Sequence, residues 1–406
     1  VARSQRERLF AAMVSATAER GYAATAVADL LRRSGVSRSS FYAHFAGKDE
    51  CFGAAVEQLA AETLALISAR YAVDGAPAER ARSALEAFVR LCAVQPAAAR
   101  LCLVESYAAG PAGLEPMQRA VSELTELAAR AFAEMPERAA MPPDLVRAIG
   151  GGIHRVLYRR LLTHREAELP ELGPELWEWA MSYPAPPAPL RLRGRRPAPG
   201  AAAPGLAAGD PELRIVRALA AVAAAKGYRA TTIADVCTTA AVSPATFYVH
   251  FESKEDALLA CLDYSGAQLA AATVPATRRA RSWPDAVRIA YGAMCGFLAA
   301  EPAFARLRAV EVYAAGTRAI EQRDAAGAEI LQSLLPEDVA AGLSPLTAEA
   351  VLGSVYMTMQ DKVKGDGPER LAEIAPLLTY VTLAPLLGAE QACEVANGDG
   401  RRRPQP

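Results

Sequence analysis

The sequence predicts an all-α protein made of two tandem copies of one unit. Three observations lead there. Residues 21–52 and 227–258 align without a gap at an offset of 206, and thirteen of the 32 positions are identical. Apolar residues elsewhere recur at helical spacing, and no convincing strand alternation is seen. Prolines cluster near expected helix starts, at Pro77, Pro143, Pro284 and Pro368.

The repeat extends both ways at the same offset. Upstream, Leu9, Phe10, Met13 and Val14 match Ile215, Val216, Leu219 and Ala220, all on one helix face. Downstream, Pro96, Arg100, Leu101, Val104, Glu105, Tyr107 and Gly110 match Pro302, Arg306, Leu307, Val310, Glu311, Tyr313 and Gly316. Chance repetition at one register over such a span is very improbable, so each copy is a structural unit. Helices are expected over 77–94, 144–164, 285–300 and 347–364, with about nine helices in each unit. Between the copies, residues 184–209 are rich in Pro, Ala, Gly and Arg, a composition that reads as a linker. Residues 388–406 read as a disordered tail.

Bulk composition narrows the function classes. With 406 residues, 52% of them hydrophobic, the chain has material for several buried cores. Its formal net charge of −1 means that any surface for a polyanion must be a local basic patch. The seven cysteines, Cys51, Cys92, Cys102, Cys237, Cys261, Cys295 and Cys393, form no C-x-x-C pair. They read as reduced, mostly buried side chains of a cytoplasmic protein. The polar N-terminus has no apolar segment of a signal peptide behind it, and no apolar run is expected to approach the roughly 18 residues of a membrane helix. No metal-ligand spacing, Gly-rich phosphate loop or nucleophile–base pair is found, so neither an enzyme nor a cofactor is expected.

The most informative segment begins at helix 1, expected over about Ser4 to Arg20 and closed by Gly21. A short helix follows over about Val27 to Ser34, Gly35 makes a turn, and Ser37 caps a second short helix from Arg38 to His44. This is a helix-turn-helix. Phe41 and Phe45, spaced i, i+4, pack inward. Ser37, Arg38, Ser39, Ser40, Tyr42 and His44 form the outer face, as reading of base edges and phosphates requires. Lys48 opens the next helix against its dipole, and a phosphate neighbour would explain it. The second copy offers Ser243, Pro244, Ala245, Thr246, Tyr248, His250 and Lys254 at matching positions. In the linker, Arg191, Arg193, Arg195 and Arg196 suggest a flexible basic arm on DNA phosphates; the other readings are minor-groove insertion and a solvated linker.

The pattern carried by Thr25, Val36, Ser37, Ser40, Phe41, Tyr42, His44, Phe45 and Lys48 closely resembles the TetR family of bacterial regulators. Thr231, Val242, Ser243, Thr246, Phe247, Tyr248, His250, Phe251 and Lys254 repeat it. The motif covers only about 50 residues of each copy. The resemblance implies a three-helix DNA-binding domain followed by a helical domain that binds a small ligand and dimerises through a two-helix face. It adds Thr25 and Thr231 to the DNA-contacting positions. It also divides the chain into DNA-binding domains at 1–50 and 210–256, and ligand-binding and dimerisation domains at 51–183 and 257–387.

Three positions depart from the family pattern, with Leu31 and Cys237 in place of alanine and Ala241 in place of glycine. Pro244 and Ala245 also leave the second reading helix with fewer groups able to reach bases. The expected function is a cytoplasmic, sequence-specific transcriptional regulator, a repressor by resemblance, whose partners are an operator DNA and a small effector of unknown identity. A pseudo-dimer within one chain is expected, with a homodimer of chains as the other arrangement. The alternative is a helical sensor or scaffold that has lost DNA binding.

Overall fold

The computed structural model describes residues 4–191 and 209–398. The first copy runs through α1 (Gln5–Ala24), α2 (Val27–Ser34), α3 (Arg38–His44), α4 (Lys48–Tyr71), α5 (Pro77–Val94) and α6 (Pro96–Arg100). A wider π turn, Leu101–Glu105, leads into α7 (Ser106–Ala109), α8 (Pro111–Ala133), α9 (Pro143–Leu162) and α10 (Leu169–Met181). The second copy runs through α11 (Pro211–Lys226), α12 (Ile233–Ala240), α13 (Pro244–His250), α14 (Lys254–Thr277), α15 (Trp283–Ala300) and α16 (Pro302–Ala309). It continues through α17 (Thr317–Leu334), α18 (Glu337–Gly342), α19 (Pro345–Gly365), α20 (Ala375–Leu387) and α21 (Ala389–Ala396). No strand occurs among the described residues. More helices are present than the expected nine per copy, because short pieces such as α6, α7 and α18 carry too few residues to show a period.

The chain divides into two compact units. One comprises Val1–Val146 and Ile153–Met181; the other comprises Arg147–Gly152 and the chain from Ser182 onward. In the first, α4 packs on α5 and α8, and α5 packs on α10. In the second, α14 packs on α11 and α15, and α20 packs on α15 and α21. Proline opens α5 and α9, where its missing N–H costs no hydrogen bond.

Three expectations need correction. The stretch read as the start of a linker is held down as far as Arg191. The Tyr183 hydroxyl donates to Val381 O at 2.8 Å, and Tyr380 donates to Pro184 O at 2.9 Å. Asn397 donates to Pro189 O and accepts from the Arg191 amide. Side chains thus satisfy a proline-rich backbone that no helix or sheet could satisfy. The supposed tail contains α21, whose Ala392, Cys393 and Ala396 are buried; its apolar positions are small residues that composition does not distinguish from a solvated tail. Finally, Lys48–Tyr71, Lys254–Thr277 and Pro368–Leu387 are long and apolar enough, by length and composition alone, to cross a membrane. Alanine in the first two and leucine in the third raise the mean hydropathy, although charges interrupt all three. Ala375–Ala384 of the third is buried within its unit.

Unit one also buries an imidazole nitrogen. His154 packs against the rings of Tyr107 and Tyr158, at 6.2 and 6.0 Å between centroids, and its Nε2 is enclosed without a hydrogen-bond partner among the described residues. Burial, aided by the neighbouring Arg155, pulls its pKa down to about 4. The unfolded chain takes up a proton near the usual histidine value while the folded chain does not. Stability is therefore complete above about pH 6.5 and falls below it, by up to about 1.4 kcal/mol per pH unit until pH 4. Melting temperatures measured from pH 7 to pH 4.5 are expected to fall more steeply for the natural chain than for His154→Phe. Parallel curves would remove His154 from this role.

Candidate nucleic-acid interface

The first three helices are fixed by capping. Ser4 and Glu7 form a capping box at the start of α1. Gly21, at φ +73°, breaks the helix line, and the Thr25 hydroxyl bonds back to Gly21 O at 2.8 Å. Asp29 accepts from the Ala26 amide, Arg20 and Arg32, which ties the start of α2 to α1. The Ala26 hydrogen bond first, then Arg32 and Arg20, hold the Asp29 carboxyl below its ordinary pKa against a modest burial penalty. In the second copy Thr232 and Asp235 form the box, with Lys226 in place of the arginines. The Lys226 hydrogen bond, followed by those from Thr232, keeps Asp235 well below its usual range.

The turn between the short helices requires a left-handed residue. Gly35 supplies it at φ +64°, and Ala241 adopts it at φ +53°. A Cβ in this region costs about 1 kcal/mol, partly offset by the greater chain entropy of glycine. Ala241→Gly is therefore expected to raise the stability of unit two by about 0.5 kcal/mol, read from denaturant midpoints. A lowered midpoint would contradict this account of the turn.

The reading helices have the expected division of faces. Phe41 and Phe45 are buried against each other, with Phe10 against Phe45, and Phe247 and Phe251 are buried in the second copy. Ser37 caps α3 by accepting from the Ser40 amide at 3.1 Å, and its hydroxyl also reaches Ser39 and Ser40. Ser243 and Thr246 repeat the cap. Ser40 and Thr246 are thus half-buried partners of the caps. Arg38, Ser39, Tyr42 and His44 are exposed on one side of α3, with Tyr42 at 49%. Arg38 makes no hydrogen bond or ion pair among the described residues. By contrast Arg32 and Arg33 are engaged by Asp29 and Glu19. On α13 the exposed residues are Pro244, Ala245, Tyr248 and Val249, while His250 is half-buried with Nδ1 3.9 Å from Glu212.

Several sequence assignments change. Thr25 and Thr231 are 2% exposed, and their hydroxyls serve Gly21 O and Gly227 O, so they build the domain rather than its outer face. Lys48 is accounted for without a phosphate. Its Nζ donates to Tyr22 O at 3.0 Å and stands 4.0 Å from the Tyr22 ring centroid. Lys254 donates to Tyr228 O and Thr231 O and stands over the Tyr228 ring. Burial draws the Lys254 pKa down from its usual value. Of the basic arm, Arg191 is exposed, while Arg193, Arg195 and Arg196 lie outside the described residues.

Sequence reasoning missed two features. Val249 is 79% exposed and, with Ala43 at the matching position, belongs to the outer face of the reading helix. Helical phase between Tyr248 and His250 was the available signal. The second is a tie between the short-helix region and the rest of each unit. Glu105 accepts from the Tyr22 amide at 2.7 Å, and Glu311 accepts from the Tyr228 amide at 2.8 Å. This bond gives each glutamate a structural role within its unit.

Unit one contains a cavity of about 280 Å³ between α4, α5, α6 and α8. Leu59, Phe88, Leu91, Cys102, Met117 and Leu124 line it, with Glu62, Thr63 and Gln95 as its polar groups and no lysine or arginine.

A capped three-helix unit with an exposed polar reading helix, followed by a helical domain holding a cavity, defines a DNA-binding transcription regulator of helix-turn-helix type. The family model for bacterial regulatory proteins of the tetR family matches residues 9–55 and again 215–261. Two segments of the chain, one in each copy, thus match that family's DNA-binding model in tandem. The chain's fold is similar to the fatty acid degradation regulator FadR from Bacillus halodurans, at 14% identity and a TM-score of 0.40, covering 43% of this chain and 97% of that one. It is similar to FadR from Bacillus subtilis, solved with stearoyl-CoA, at 18% identity and a TM-score of 0.39, covering 43% and 98%. A third similar structure is the ketosteroid regulator KstR2 of Mycobacterium tuberculosis, at 21% identity and a TM-score of 0.35, covering 46% and 97%. No curated protein matches the chain.

Proposed function

We propose that this chain is a cytoplasmic repressor that binds an operator through α3 and α13 and is released by a small effector. The observation that carries the reading is Arg38. It is an exposed guanidinium without a partner among the described residues, placed by a serine cap at the start of the reading helix beside Ser39, Tyr42 and His44. Phosphate and base contacts require such uncommitted donors. The cavity of unit one supports an effector site, because the π turn Leu101–Glu105 lends it Cys102 and Leu103 and ends at Glu105, which holds the Tyr22 amide at the foot of the DNA-binding helices. The stearoyl-CoA bound by FadR from Bacillus subtilis gives an example of such an effector in a similar fold.

Both reading helices come from one chain, so an intramolecular pseudo-dimer is the proposed binding form. Residues 192–208, between the two described stretches, reach about 60 Å if extended, and tethering raises the effective concentration of the second copy to about the millimolar range. Arg191, Arg193, Arg195 and Arg196 are proposed as an arm on phosphates. Replacing all four by serine is expected to lower affinity about equally for all DNA sequences, since phosphates carry no base information. A loss confined to the operator would instead show minor-groove reading. The function as a whole is tested by an electrophoretic shift on DNA upstream of the chain's own gene, with and without a compound library. A shift reversed by a compound is expected, and failure to shift any DNA would reject the reading.

A further inference from the structure

The cavity of unit one has a counterpart in unit two with different chemistry. A cavity of about 240 Å³ lies between α14, α16 and α17. Under the repeat offset, its Leu262, Gly266, Ala270, Ala326 and Ile330 stand where Val56, Ala60, Leu64, Ala120 and Leu124 line the first cavity. Two exchanges separate the sites. Arg308 stands in the place of Cys102, and Arg323 in the place of Met117.

Both guanidinium groups are more than nine-tenths buried. Arg323 pairs with buried Asp324 at 2.7 Å and lies over the rings of Tyr313 and Tyr356. Arg308 donates to Leu262 O and to Ser265 Oγ, both at 3.0 Å, and has no carboxylate partner within ion-pair distance among the described residues. Burial lowers its pKa to about 10, which leaves it cationic at neutral pH. Arg323 thus has Asp324 as its buried counter-charge, while Arg308 is paired with no carboxylate among the described residues and feels Asp263 and Asp324 only through space. A buried charge without a counter-charge is costly, and an anionic ligand removes that cost.

We propose that the cavity of unit two is an effector site for a compact organic monoanion, whose carboxylate meets Arg308 and whose apolar part lies along Ala270, Ala326 and Ile330. The charge of the ligand follows from the surroundings. One excess buried positive charge calls for one negative charge, and exposed Asp263 and Glu329 on the cavity lining disfavour a dianion such as phosphate. Its size follows from a volume below the roughly 300–1,000 Å³ of sites for drug-sized ligands. The first cavity, without any cationic lining residue, is then suited to a neutral apolar molecule, so the two copies sense different chemistry. This rests on the reading of the cavities as effector sites.

The test uses the full chain, with hexanoate, hexanamide and inorganic phosphate as probes in titration calorimetry. Hexanoate is expected to bind at least tenfold more tightly than hexanamide, and phosphate more weakly than hexanoate. Arg308→Gln is expected to abolish the preference for the carboxylate, Arg308→Lys to keep part of it, and Ala326→Trp to block binding. Equal binding of acid and amide, tighter binding of phosphate, or a carboxylate preference that survives both Arg308→Gln and Ala326→Trp would overturn the proposal. Should Arg308→Gln fail to fold, the acid–amide comparison on the natural chain and the Arg308→Lys result still decide. A DNA shift measured on the same preparation separates the two readings. Intact DNA binding without any carboxylate preference overturns this inference alone.

Discussion

Arg38→Ala is expected to lower affinity for the operator by about 5- to 150-fold, the 1–3 kcal/mol of a good bidentate base contact, with no change in melting temperature. The side chain is exposed and makes no hydrogen bond or ion pair among the described residues, so its removal leaves none of their buried groups unpaired. A contact to phosphate instead of a base would cost all sequences alike and reduce the salt slope by about 0.9. Comparing operator with unrelated DNA at several salt concentrations separates the two outcomes. Pro244 stands at the same position in α13 and carries no donor, so Pro244→Ala is expected to change affinity little. An Arg38→Ala variant with unchanged affinity and unchanged salt slope would remove α3 from the interface.

Lys254→Ala is expected to act on stability first. Its ammonium serves the carbonyls of Tyr228 and Thr231 and covers the Tyr228 ring. Losing hydrogen bonds from a charged donor and a part-buried cation–π contact costs about 2–4 kcal/mol together. The DNA-binding helices of unit two are therefore expected to loosen, with DNA affinity falling as a consequence. Near-ultraviolet circular dichroism and denaturant midpoints of Lys254→Ala measure this directly. Lys254→Arg, which keeps the charge, is expected to recover part of the loss. If Lys254→Ala keeps its midpoint while losing DNA affinity and about 0.9 of salt slope, the lysine is a phosphate contact after all.

The two lysines show where sequence reasoning ran short. A cation at a helix start suggested an external anion, because carbonyls more than twenty residues away in sequence carry no local signature. The threonines failed for the same reason: a hydroxyl that bonds four residues back reads the same whether it faces solvent or the core. What local rules govern was legible. The serine caps of α3 and α13, the left-handed turn at Gly35 and Ala241, and the inward Phe41–Phe45 pair each follow from side chains within a few residues. Apolar residues at helical spacing likewise placed α5, α9, α15 and α19 close to their observed ends. The cavities were not legible, since Cys102 and Arg308 occupy equivalent positions without local motifs, and only the packed helices reveal that both line a void.

The most direct test of the central claim is footprinting of the purified full chain across its genomic DNA, with the mass of the complex on the protected fragment measured by light scattering. One 42.9 kDa chain on an imperfectly palindromic or asymmetric site is the expected result, because the positions held by Arg38 and Ser39 in one copy are held by Pro244 and Ala245 in the other. Protection of no site, or two chains on a perfectly symmetric site, would contradict the account.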